Sequence, residues 1–268
     1  MGAASSRPAS FKFTFIEDKR YAEHLLLEAE DADLYLETCR NDPVNAHARR
    51  RQAYTANMVS SKDSVYYQGV LDGIVPLLPK RLQMDLREVS IISLMPSADG
   101  GMPHTRPSSL ICFPHIEQVK SRSTMIHELW HVHQRIYRDT WSRVFHELGW
   151  TEWKGLLPAF LEKNRRINPD TIDCPLWVYQ NTWVPVSVFR DIALPNMTEV
   201  DIWFYHIKEE YHLKQIPVDM RAYFPNLPQS AYEHPREIAA YLLADHQEYR
   251  DSPALKSLLS SVGQLAIS

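Results

Sequence analysis

The 268-residue sequence predicts one α+β domain with a small twisted sheet, a helix bearing two histidines, a later glutamate-bearing helix and an N-terminal helical cap. Three observations predict it. Both ends of the chain carry apolar positions at helical spacing. Between them, residues 89–94 and 109–113 are short apolar runs of strand composition. No repeat, low-complexity tract or linker divides the chain, and 44% hydrophobic content allows one large core.

Residues 1–13 (MGAASSRPASFKF) read as a flexible leader of small residues, with a single domain over residues 14–268. The leader fits the myristoylation pattern, with Gly2 exposed after loss of Met1 and Ser6 at the required position. One acyl chain gives only weak, reversible membrane association, and Arg7 and Lys12 add little to it.

Residues 17–40 predict the first helix, with Leu25, Leu26, Leu34 and Leu36 among its apolar positions. A second follows Pro43, and a third covers residues 62–78, closed by Pro76 and Pro79. The Arg49-Arg50-Arg51 run reads as a solvated face. A Gly/Pro-rich turn region, residues 96–107, separates the two strands. Residues 121–137 form a strong helix. The section 141–228, rich in Trp, Tyr and Pro, predicts a helix at 142–148 and strands near 176–180, 184–190 and 200–207. Helices over 235–247 and 253–262 end the chain.

A net charge of −4 gives no basic excess, so no nucleic-acid partner is expected. Cys39, Cys112 and Cys174 are odd in number and far apart, which favours a reducing compartment over a disulfide framework. The N-terminus lacks the apolar centre of a secretory signal, and no run of about eighteen apolar residues exists. These features predict a cytoplasmic, non-secreted protein, virion- or membrane-associated if Gly2 is acylated. There is no phosphate-binding glycine loop and no GxSxG elbow.

The chemistry lies in STMIHELWHVHQR. His127 and His131 are four residues apart, so both imidazoles leave one helix face and can bind one zinc ion. Glu128 is placed to take a proton from water that zinc has made acidic. Met125, Ile126, Leu129, Trp130 and Val132 would bury the helix. A catalytic zinc needs a third protein ligand and an open fourth position. In YEHPREIAAYLLADH, Pro235 suits a first helical turn and puts Glu237 at its third position, where a carboxylate is favoured. Ala239 and Ala240 would let that helix approach the first closely. Glu233, His234 and Asp245 are alternative ligands.

These pieces resemble the gluzincin-like branch of zinc metallopeptidases. More narrowly, MPHT (102–105), HExxHxxQR (127–135), NPD (168–170) and EHPREIAAY (233–241) are similar to HExxHxxQR proteins of large DNA viruses and marine phages. The resemblance implies a zincin-like fold, a Zn2+ cofactor, a peptide or protein substrate, and Glu128 as general base. It also implies an oxyanion-stabilising residue, for which Tyr232, His234, Tyr223 and Tyr241 are candidates. His104 is expected at the substrate edge of the sheet, Arg135 against an acidic partner, and Asn168-Pro169-Asp170 in a turn and helix cap. A groove beside an exposed strand edge would let an extended peptide dock by strand addition. Two other readings stand beside the metallopeptidase. One is a catalytically inactive, acylated interaction protein on the same scaffold, and the other a zinc hydrolase acting on something other than peptides.

Overall fold

The computed structural model describes residues 10–263. The acylation pattern at Gly2 lies outside them. The fold is α+β, as expected, but it contains two sheets rather than one.

The first sheet contains β1 (Lys12–Phe15), β2 (Glu88–Ser93), β3 (His104–Arg106) and β4 (Leu110–Phe113). Its order is β1-β2-β4-β3, and only β3 is antiparallel to its neighbour. The leader boundary is corrected here. Phe11, Phe13 and Phe15 alternate with Lys12 and Thr14, so this segment buries one face as a strand, with Phe13 opposite Val89. The ordered domain therefore includes residues 11–13.

Strands β2 and β4 are continuous apolar runs because both their faces are covered. Helix α1 (Lys19–Asp33), followed by α2 (Tyr35–Asn41) and α3 (Pro43–Arg49), supplies Ala22, Leu26 and Ala29 against Ile92, Leu94, Leu110 and Cys112. On the other face, α4 (Ser61–Ile74), α5 (Lys80–Asp85) and α6 (Arg122–Ile136) pack Leu71, Leu82, Met125 and Leu129 in one cluster with Val89, Ile91, Ile111 and Phe113. The predicted cap is thus split between two layers.

The single helix expected over residues 17–40 is also corrected. It breaks at Leu34, whose φ of 53° is left-handed. Asp33 caps the Tyr35 N–H, and Glu30 accepts from the N–H groups of Leu36 and Glu37. The same two carboxylates bind the fully buried Arg106 guanidinium at 2.7–2.9 Å. The solvated-face reading fails for Arg49, which is half-buried and bonds Tyr35 and Asp99.

The second sheet is an antiparallel meander of β5 (Trp150–Glu152), β6 (Trp177–Tyr179), β7 (Trp183–Phe189), β8 (Val200–His206) and β9 (Tyr211–Leu213). Its Trp177, Tyr179, Ile202 and Phe204 join the main core beside Trp141 and Phe145 of α7 (Arg138–Glu147). Val178, Val184, Val186 and Val188 form a satellite cluster with Leu161 of α8 (Ala159–Asn164). Helices α9 (Val218–Tyr223), α10 (Pro235–Ala244) and α11 (Pro253–Gly263) complete the chain. All three cysteines are buried and unpaired. Among the described residues, no helix is long and apolar enough to cross a membrane.

Candidate metal centre

Helix α6 begins at Ser121, whose Oγ accepts from the Thr124 N–H at 3.2 Å. Burial of Met125, Ile126, Leu129 and Trp130 then fixes its rotation and turns His127 and His131 towards α10. That helix has Pro235 in its first turn, and His234 caps it by accepting the Arg236 N–H at its Nδ1. Ala239 and Ala240 are completely buried, and the two helices pack against each other.

This contact brings three ligand atoms together. His127 Nε2 and His131 Nε2 are 3.0 Å apart, and the two Glu237 oxygens lie 3.3 Å from one imidazole each. Around a tetrahedral zinc with bonds of about 2.0–2.1 Å, adjacent ligand atoms are spaced at roughly 3.3 Å. The spacing and the donor set, two imidazoles and one carboxylate, both fit that ion. The group is mutually polarised. Burial alone would depress the His131 pKa, but the Glu237 carboxylate overrides it and lifts the value to about 10. Burial would raise Glu237, but the two imidazoles hold it well below the usual carboxylate range.

Gln134 locks this arrangement. Its Oε1 accepts from His131 Nδ1–H at 3.0 Å, which fixes the ring with Nε2 towards His127 and Glu237. Its Nε2 donates to Arg236 O at 3.1 Å, so one side chain ties both ligand-bearing helices. Replacing Gln134 with Met is expected to weaken zinc binding by about 10–100-fold without removing a ligand. Competition with a chromophoric chelator measures this, and an unchanged affinity would deny Gln134 the orienting role.

The other motif segments meet beneath the centre. Arg135 donates to Pro169 O and Thr105 O at 3.0 and 3.3 Å, so it binds carbonyls more closely than the expected acidic partner, Asp173, at 4.0 Å. Asp170 Oδ1 accepts from Thr105 N at 2.7 Å, and Asn168 caps Asp170 N as the NPD turn predicts. Arg236 clamps Asp173 in a two-pronged pair and also donates to Asp170 O. The outer edge of β3 is consequently closed. Thr105 is the residue whose backbone N–H and C=O face away from β4, and Asp170 and Arg135 occupy both. The expected docking of a peptide by strand addition has no free rung at this edge.

Glu128 points into a cavity of about 420 Å³ that also reaches His127 and Glu237. It is 4% exposed, and its Oε2 has no hydrogen-bond partner among the described residues. Burial, then repulsion from Asp170 and Glu237, pushes its pKa well above the carboxylate range against the pull of His131. Its place beside the ligand group, with an oxygen left unpartnered, suits a group that takes up and returns a proton. Tyr241 lies one turn beyond Glu237, lines the same cavity, and packs its ring 4.7 Å from that of His127. Burial and the Glu237 charge raise its pKa, so the hydroxyl keeps its proton and can donate.

Other predicted site residues have different positions. Tyr232 is buried in the core and donates its hydroxyl to Phe224 O, away from the cavity. His234 donates from Nε2 to Cys174 O at 2.8 Å, and burial with Arg236 nearby pushes its pKa down to about 3. It is a neutral helix cap. Tyr223 bonds Ser257. Glu233 is engaged by Arg166 and Asn168, and Asp245 by Ser123, so the alternative ligands are committed elsewhere. His104 does line the cavity, but Met102 O and the Tyr54 hydroxyl hold its two ring nitrogens. Gln134 stands inside the HExxHxxQR motif and Asp99 in an Asp-Gly-Gly turn, but neither pattern by itself marks a role for them.

No protein family, curated protein or solved structure matches the chain.

Proposed function

We propose that the protein is a zinc-dependent hydrolase, a gluzincin-like metallopeptidase with a zincin-like arrangement of helices α6 and α10. The observation that carries this is the convergence of His127, His131 and Glu237 beside a buried, unpartnered Glu128. A bound zinc would supply Lewis acidity and make water a nucleophile near neutral pH. Glu128 would accept the proton of the attacking water and return it to the leaving amine. Tyr241, protonated and beside His127, would donate to the oxygen that gains negative charge. Gln134 and Arg236 keep the ligands in register.

Among the described residues the ligand group holds three side chains, not four. That supports an open catalytic position over a closed structural one, and favours the enzyme over an inactive scaffold. The balance of charge and cysteine use is consistent with the proposed cytoplasmic setting. Removing metal with a chelator should abolish hydrolysis of a short-peptide mixture, and stoichiometric zinc should restore it. Hydrolysis that persists in the chelated protein would sink the reading.

A further inference from the structure

We propose that the cavity beside the metal group takes a short substrate carrying a free primary ammonium group, and that Asp99 receives that group. The proposal rests on the hydrolase reading for the bond that is cut, but not for the ammonium contact.

Three independent features point to it. The first is the closed β3 edge, which leaves an extended chain no rung to pair with, so the substrate is held by the cavity rather than along the sheet. The second is the turn that presents Asp99. Asp99, Gly100 and Gly101 have φ of 43°, 66° and 83°, a run of left-handed residues. A Cβ at Gly100 would lie 2.9 Å from Met197 Cβ, and one at Gly101 2.7 Å from His115 Nε2. Only glycines fit there, and Asp is among the few other residues that tolerate the conformation. This turn places Asp99 among the residues that line the cavity.

The third feature is the state of that carboxyl group. Asp99 is 2% exposed, and its Oδ1 accepts from Tyr35 at 2.5 Å and Arg49 at 3.3 Å. Its Oδ2 has no hydrogen-bond partner among the described residues. His104 Nε2 lies 3.5 Å away and is engaged more closely, at 2.7 Å, by the Tyr54 hydroxyl, whose oxygen accepts from Arg106, while His104 Nδ1 meets Met102 O. A buried carboxylate oxygen left in this state calls for a donor.

The charge of the cavity decides what kind of donor. Besides Glu128, whose charged form is disfavoured, Asp99, Asp170, Glu233, Glu237 and Asp245 line it, against one guanidinium, Arg166, already paired with Glu233. A divalent metal leaves that balance negative, so an anionic substrate is repelled and a cation drawn in. One free oxygen suits the compact ammonium better than a planar guanidinium, which needs two acceptors. The ammonium could be an α-amino terminus or a lysine side chain.

Calorimetric titration of the full-length protein with leucinamide, N-acetyl-lysinamide and N-acetyl-leucinamide tests this. At least one ammonium-bearing probe should bind about tenfold or more tightly than N-acetyl-leucinamide, and which one does so identifies the source. The variant Asp99→Asn keeps the acceptor for Tyr35 and Arg49 and should erase the preference. An α-amine held by the metal instead would bind that variant undiminished. Equal binding of all three probes to the wild-type protein would overturn the proposal, as would a preference that survives Asp99→Asn. Zinc content of the same samples fails separately: a protein without zinc that still prefers ammonium probes would refute the hydrolase reading alone.

Discussion

Replacing Glu128 with Gln is expected to leave one zinc per chain and to lower the rate of peptide hydrolysis by about 10²–10⁴-fold, the usual contribution of general acid–base catalysis. Glu128 shares the cavity with the ligand group but is not part of it. The amide has nearly the same shape, so packing around this buried position should survive. Because burial and neighbouring carboxylates already disfavour the charged form, a neutral amide should leave stability unchanged or slightly higher. Turnover on a zinc-loaded sample, read beside metal content and thermal midpoint, separates the possibilities. A rate within a few-fold of wild type would deny Glu128 the proton-transfer role. Loss of zinc would make it part of the ligand set.

The largest stability effect is expected outside the ligand group, at Arg106→Met. The guanidinium is fully buried, bound by Asp33 at two nitrogens and by Glu30, and bonded to the Tyr54 hydroxyl at 3.0 Å. The rings of Tyr35 and Tyr54 lie 5.0 and 5.5 Å from its central carbon. Removing one partner of such a group strands the others, at a cost of about 3–5 kcal/mol. Urea denaturation measures it. Combining the change with Glu30→Gln and Asp33→Asn, which keep the acceptors that cap α2 but remove their charge, should recover much of the loss. A single-variant loss below about 1 kcal/mol would mean that these carboxylates find solvent, contrary to the burial described.

The two examples mark what the sequence could disclose. Helix α6 was legible because its cap, its apolar face and its ligand spacing are all local. Glu237 was legible because Pro235 sets the helix start and the helical phase follows. The strands β2 and β4 announced themselves as apolar runs. By contrast, β3 is three residues inside a Gly/Pro-rich stretch, and only pairing with β4 and the Asp170 and Arg135 contacts make it a strand. The break at Leu34 left no local signal either, since its carboxylates serve an arginine 73 and 76 residues away. Arg49 looked like one of three surface charges until Tyr35 and Asp99 were brought to it by the fold. Among the oxyanion candidates, residue type alone could not separate Tyr241 from Tyr232; which face of the chain met the cavity did.

The central claim is that His127, His131 and Glu237 hold one zinc ion. Zinc-edge X-ray absorption on the purified protein tests it most directly, with Glu237→Ala as the companion sample. One zinc per chain is expected, in a shell of two imidazole nitrogens plus oxygen ligands, with a lost carboxylate contribution and weakened binding in the variant. A protein that takes up no zinc, or a shell unchanged by Glu237→Ala, would contradict it.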